Sequence, residues 1–160
     1  MAKVVQTEQQ VVVEPWWVKI KIVYIGLFLG LVWWVLTSIL KHYAVEPMAC
    51  RDLATAAACV DSFGVAGSIA TILVAILGAV ILVRTLQPRP IVIALATAIV
   101  LWDLGYFLTG LSWWESMLWA LFFYVLGYSL FSLVARIRNL IVSLVAAAVV
   151  VVAIRLLLLI

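Results

Sequence analysis

Two ionisable side chains in this 160-residue sequence stand where charge is costly: Asp103, within LWDLGYF, and Arg155, within AIRLLLLI. Both are embedded in apolar runs, and a lone charge at the centre of a bilayer costs at least about 2.5–3.5 kcal/mol on insertion scales. Side chains there commonly mark ion or proton paths, or hydrogen-bond between helices. At about 1.5 Å of rise per residue, Asp103 lies roughly 10 Å beneath the end of its apolar run. The same depth is reached by Trp33 or Trp34, Thr71, Tyr124 and Arg155 on the other runs, and Tyr106 is one helical turn from Asp103. The sequence therefore predicts an intramembrane polar layer of Asp103, Arg155, Tyr106, Tyr124 and Thr71. Three arrangements stay open within it. Asp103 and Arg155 form an ion pair, with the guanidinium gripping the carboxylate through two hydrogen bonds; Asp103 is protonated and bonded to Tyr124 or Tyr106; or Asp103 faces a hydrated cavity while Arg155 snorkels past its helix end. Deeper in the runs there is little polar beyond Ser129, Ser132 and Ser143. A complete transmembrane route is poorly supported.

The other reactive pair is Cys50 and Cys59, in CRDLATAAAC between the first two apolar runs. On an oxidising side of a membrane these two would form a disulfide. The short loop it closes would contribute about 2–3 kcal/mol by constraining the unfolded chain. Two cysteines with the lone His42 fall short of a structural zinc set, so neither a metal nor a cofactor is expected. The placement of Cys50, Cys59 and Ser62 faintly resembles the vitamin K epoxide reductase family, helical-bundle proteins with a cysteine pair and a nearby serine after the first span. That family's redox centre is a CxxC at the end of a later span. This sequence has no third or fourth cysteine, so the resemblance does not bring that chemistry with it.

What must position these groups follows from composition. The chain is 69% hydrophobic and 11% charged, against about 45–50% and about 25% in ordinary soluble domains. So much apolar surface cannot be buried in 160 residues beneath a polar exterior. The fold class expected is an all-α integral membrane protein. Spans of about 20 apolar residues are read at 17–40, 62–83, 90–110, 115–135 and 140–160, the fifth less firmly than the others because it follows the fourth after only RIRN. A continuous bent helix or a surface-lying end segment would also fit there. Short links make neighbours antiparallel, giving an up-down bundle of five transmembrane helices. Residues 1–15 read as a short tail and 41–61 as the one sizeable loop. Lys3, Lys19, Lys21, Arg84, Arg89, Arg136 and Arg138 gather at one end, and only Lys41 and Arg51 at the other. The excess of basic residues in cytoplasmic loops then puts the N-terminus inside and the C-terminus outside. The first run is too long for a cleaved signal peptide and reads as a signal-anchor.

Helices in lipid associate through close backbone approach or polar contact. Gly26 and Gly30 have GxxxG spacing, and Gly67, Thr71, Ala75 and Ala79 form a small-residue stripe on the next span. These two faces are expected to pack on each other, with self-association through Gly26 and Gly30 as the alternative. The net charge of +3 fits basic loops better than nucleic-acid binding, for which there is no basic module. No hydrolase, kinase, haem or nucleotide motif occurs. The expectation is a multi-pass protein of a bacterial inner membrane, non-enzymatic, acting as an accessory or assembly subunit, whose partners are the lipid bilayer and another membrane protein or itself. A transporter or channel component using the Asp103 layer, and a thiol redox protein using Cys50 and Cys59, are the alternatives.

Overall fold

In hydrocarbon every backbone N–H and C=O must be bonded within the protein, and a helix achieves this in a single segment. The computed structural model describes residues 16–49, 61–85, 89–135 and 140–159, and every regular element among them is helical. Helix α1 (Trp16–Leu40) continues through a π-helical turn (Lys41–Val45) into the short α2 (Glu46–Ala49). Next come α3 (Ser62–Arg84), α4 (Pro90–Val100) and α5 (Leu104–Phe107). Helices α6 (Trp113–Ala135) and α7 (Leu140–Leu159) complete the chain. Four helical stretches are long and apolar enough to cross a membrane: Lys19–Met48, Ser62–Arg84, Pro90–Phe107 and Trp113–Ala135. In α7 the apolar stretch is the shorter Ile141–Ile154 among the described residues.

Those four stretches close into a ring. Helix α1 packs on α3 and α6, α3 packs on α4 and α5, and α4 packs on α6. Helix α7 lies outside the ring, against α4 and α6. The Ser143 hydroxyl donates to the Val134 carbonyl at 3.1 Å, and Ile154 shares a groove with Phe123 and Gly127. Helix α7 thus folds back along α6 and does not continue it as a bent helix.

The radial arrangement is the reverse of that in a soluble domain. On α3 the buried residues include Gly64, Ala66, Gly67, Ala70, Thr71 and Gly78, while Ile69, Ile72, Leu73, Ile76 and Val80 are exposed. On this helix small and polar side chains, joined by Val74 and Leu82, face the core, and most large apolar ones face outward. Lipid tails solvate a leucine as well as a core does, so the interior is left to residues that allow close approach.

Three details depart from the sequence reading. The loop expected from Lys41 onward is helical through Ala49. Pro47 lacks an N–H and its ring would strike the carbonyl four residues earlier in an α-helix; the wider π turn, closed by Glu46 N–H donating to the Lys41 carbonyl, precedes it. The third span, expected to be continuous from Pro90 to Gly110, stops at Val100 and restarts at Leu104. Finally, Gly26 and Gly30 do not meet the stripe on α3. A methyl group built on Gly26 would come within 2.8 Å of Val125 Cα, and one on Gly30 within 3.0 Å of Leu121 Cα. Both glycines therefore serve the α1–α6 crossing. Glycine spacing signals a close approach but says nothing about which helix approaches.

Because the atoms met at Gly26 are backbone, they cannot swing aside. Gly26→Leu should destabilise the bundle by about 1–3 kcal/mol, the usual cost of overpacking. Phe28→Leu, on the outward face of the same helix, should change stability by less than about 0.5 kcal/mol. Unfolding free energies in mixed micelles check the contrast.

Candidate functional site

The core of the ring is a column of aromatic rings. Phe63 meets Trp33 edge-on at 6.4 Å, Trp33 lies 6.0 Å from Tyr124, and Tyr124 stacks on Tyr128 at 6.4 Å. Trp33 is fully buried, and Tyr124 and Tyr128 nearly so. The lower end of the column fits because residue 78 is glycine: a methyl group there would collide with the Tyr128 hydroxyl. Such ring pairs add about 0.5–1.5 kcal/mol each beyond their burial.

Polar groups in this column satisfy one another. The Trp33 indole N–H is shared between the Gly67 carbonyl at 3.1 Å and Thr71 Oγ1 at 2.9 Å. The Thr71 hydroxyl donates to the Gly67 carbonyl at 2.8 Å. Its one hydrogen is thereby committed, so toward the Trp33 indole it acts only as an acceptor. Thr71 Oγ1 ties α1 to α3, and α6 joins them through the contact of the Tyr124 ring with Trp33. The arrangement is neutral, and among the described residues its buried rings and small side chains pack the axis.

The residues expected in one polar layer are divided between the axis and the periphery. Trp33, Thr71 and Tyr124 meet on the axis, whereas Asp103 and Tyr106 are exposed on its outside. Thr97, Leu101, Leu104 and Leu108 form the inward stripe of α4 and α5, which turns Asp103 away. That spacing of four, three and four was present in the sequence and was the signal for the direction of Asp103. The helix break falls beside it. Leu101 N–H still bonds to the Thr97 carbonyl at 2.9 Å, but Leu104 N–H bonds only three residues back, to Leu101, at 3.1 Å. Ser68 on α3 divides its one hydroxyl hydrogen between the Gly64 carbonyl of its own helix at 3.2 Å and the Trp102 carbonyl at 3.3 Å, so a side chain from the neighbouring helix reaches the broken turn. Backbones approach closely here: a methyl on Gly67 would lie 2.9 Å from Gly105 Cα, and the Tyr106 ring covers Gly64.

Asp103 and Tyr106 line a lateral groove of about 460 Å³ between α4, α5, α6 and α7, walled by Phe107, Phe123, Phe131 and Ile154 among others. The backbone of Arg155 continues α7 beside this groove. Its side chain lies outside the described residues, and so do Cys50 and Cys59. Ala75 is half-buried on α3.

A second cavity, of about 320 Å³, opens at the end of the ring where α1 meets the π turn. Lys41, Trp34, Ser38, Phe63, Thr109 and Ser116 are among its walls. Trp34 donates to Ser116 Oγ at 3.1 Å, a contact that sequence spacing could not reveal because it spans 82 positions. Comparison with known protein families, curated proteins and solved structures finds no match for this chain.

Replacing Thr71 with valine keeps its volume but removes one of the two acceptors of the Trp33 indole N–H. Thr71→Val should lower stability by about 1 kcal/mol, within the range of hydrogen bonds measured inside membrane proteins. In a double-mutant cycle with Trp33→Phe the two losses should be strongly non-additive.

Proposed function

We propose that this protein is a non-enzymatic accessory or assembly subunit of a bacterial inner membrane. The observation that carries the reading is the sealed axis. Trp33, Thr71, Tyr124 and Tyr128 fill the ring with neutral groups, Trp33 hydrogen-bonded to Thr71 and the rings packed in sequence, as befits a scaffold. The features left over lie on the perimeter: the broken span, the groove beside it and long outward apolar faces. In this reading the N-terminus is cytoplasmic, as the basic residues favour, and α7 crosses as a fifth span. Its 20 residues give about 30 Å of helix, the thickness of the hydrocarbon core. Cys50 and Cys59 then face the oxidising side, where a disulfide is chemically favoured.

Purification in a mild detergent should yield a stoichiometric co-eluting membrane protein or a defined homo-oligomer, weighed by light scattering. A monodisperse, partnerless monomer sinks the proposal. Reporter fusions at residues 88 and 160 should report opposite sides of the membrane; the same side for both rejects the fifth span.

A second reading, a transporter or channel component, is favoured by one observation: Asp103 lines a groove large enough for a small solute. Flux through proteoliposomes should then fall at least tenfold in folded Asp103→Asn protein. Flux unchanged by the substitution removes this reading.

A further inference from the structure

The cavity at the Lys41 end of the ring goes beyond the scaffold reading, because it is a stretch of the axis that the aromatic column leaves unfilled. Below Phe63 the axis is closed by rings. Above it lie about 320 Å³ of space bounded by the end of α1, the start of α3, residues 108–111 and the start of α6. That volume is at the small end of ligand sites, the size of a polar headgroup more than of a whole cofactor.

The donors and acceptors of this cup can be counted. Ser38 donates to the Trp34 carbonyl at 2.9 Å, Thr109 to the Gly105 carbonyl at 3.0 Å, and Ser116 to the Trp113 carbonyl at 2.9 Å. Each hydroxyl has spent its hydrogen on its own helix or turn. Ser116 Oγ also receives the Trp34 indole N–H. What Ser38 and Thr109 still offer is acceptor oxygen. The donor of the cup is Lys41, whose ammonium stands 5.8 Å from the centre of the Phe63 ring. Glu46 lies 3.8 Å from it, beyond hydrogen-bond length, and also faces His42 at 3.3 Å. The carboxylate holds the ammonium at the rim without consuming its three N–H groups. Lys41 opens the π turn, a local geometry that recurs at functional sites. Trp34 and Trp113, 6.3 Å apart, add the aromatic surface typical of the headgroup level.

A cation beside acceptor oxygens, over an aromatic floor at membrane-surface depth, complements one chemistry. We propose that the cup binds the phosphodiester headgroup of a membrane phospholipid that carries hydrogen-bond donors next to its phosphate. Lys41 Nζ donates to the phosphate, and Ser38 and Thr109 Oγ accept from a headgroup glycerol or ammonium. The acyl chains run down the outside of the bundle.

Native mass spectrometry of delipidated full-length protein, titrated with phosphatidylglycerol, phosphatidylethanolamine or phosphatidylcholine, tests this. Phosphatidylglycerol and phosphatidylethanolamine should be retained at least fivefold better than phosphatidylcholine, whose choline has no donor. Lys41→Ala should reduce retention about tenfold, Lys41→Arg should keep most of it, and Thr109→Val should narrow the preference over phosphatidylcholine. Lys21→Ala, at the far end of α1, should change nothing. Thermal melting of each variant separates lost binding from lost folding. Equal retention of all three lipids, or undiminished retention by folded Lys41→Ala protein, overturns the proposal. Soluble glycerophosphoglycerol competing as well as the whole lipid also overturns it, since the site would then take a free phosphodiester.

Discussion

One buried pair, Trp33 on α1 and Thr71 on α3, is the point from which three of the four ring helices are fastened. Thr71 Oγ1 accepts from Trp33 while its own hydrogen stays on α3, and the Tyr124 ring of α6 packs against Trp33. In hydrocarbon none of these donors has water to fall back on, so each fixes the rotation of its helix about its own axis. Once Trp33 is turned inward, Gly26 and Gly30 necessarily face α6, because all three lie on one stripe of α1. The stacking of Tyr124 on Tyr128, and the glycine that admits the Tyr128 hydroxyl, follow in turn. Orientation in this bundle is set by a few buried polar contacts and close ring packing, and the remaining large apolar side chains point outward.

Asp103 illustrates how a costly group is accommodated without entering that core. The inward stripe of the third span is Thr97, Leu101, Leu104 and Leu108, and the carboxylate is almost diametrically opposite Leu101. Bringing it to the axis would have required a donor-rich, hydrated interior in place of packed rings. The break at 101–103 adds backbone groups that also need partners, and Ser68 supplies one. Cost and compensation are thereby concentrated at one place on the perimeter, next to the groove.

Much of this architecture was legible in the residues. Hydropathy and run length locate three of the four membrane-length stretches to within three residues and miss only the helical extension of the first to Met48, because the requirement for about 20 apolar residues is a property of the bilayer. Depth counting brings Trp33, Thr71 and Tyr124 to one level, since a helix rises uniformly. Direction was harder: counting gave Asp103 the same level but not the same side. The partner of Gly26 and Gly30 was out of reach, because GxxxG encodes shape and many helices could match it. The π turn and the break at Leu101 were hidden for a different reason. Neither Lys41 nor Leu101 is a helix breaker; the distortions come from Pro47 beyond the first and from packing against α3 at the second.

The crossing of α1 over α6 also has a temporal side. Gly26 lies 99 residues ahead of Val125, and Gly30 lies 91 ahead of Leu121, the backbones they approach. During synthesis the first helix therefore enters the membrane long before its main mate exists. For that interval its glycine face is turned to lipid or to the insertion machinery, and only the contact with α3 can hold it. Closure of the ring must therefore await the synthesis of α6, and α7, which packs on α4 and α6, is made after both.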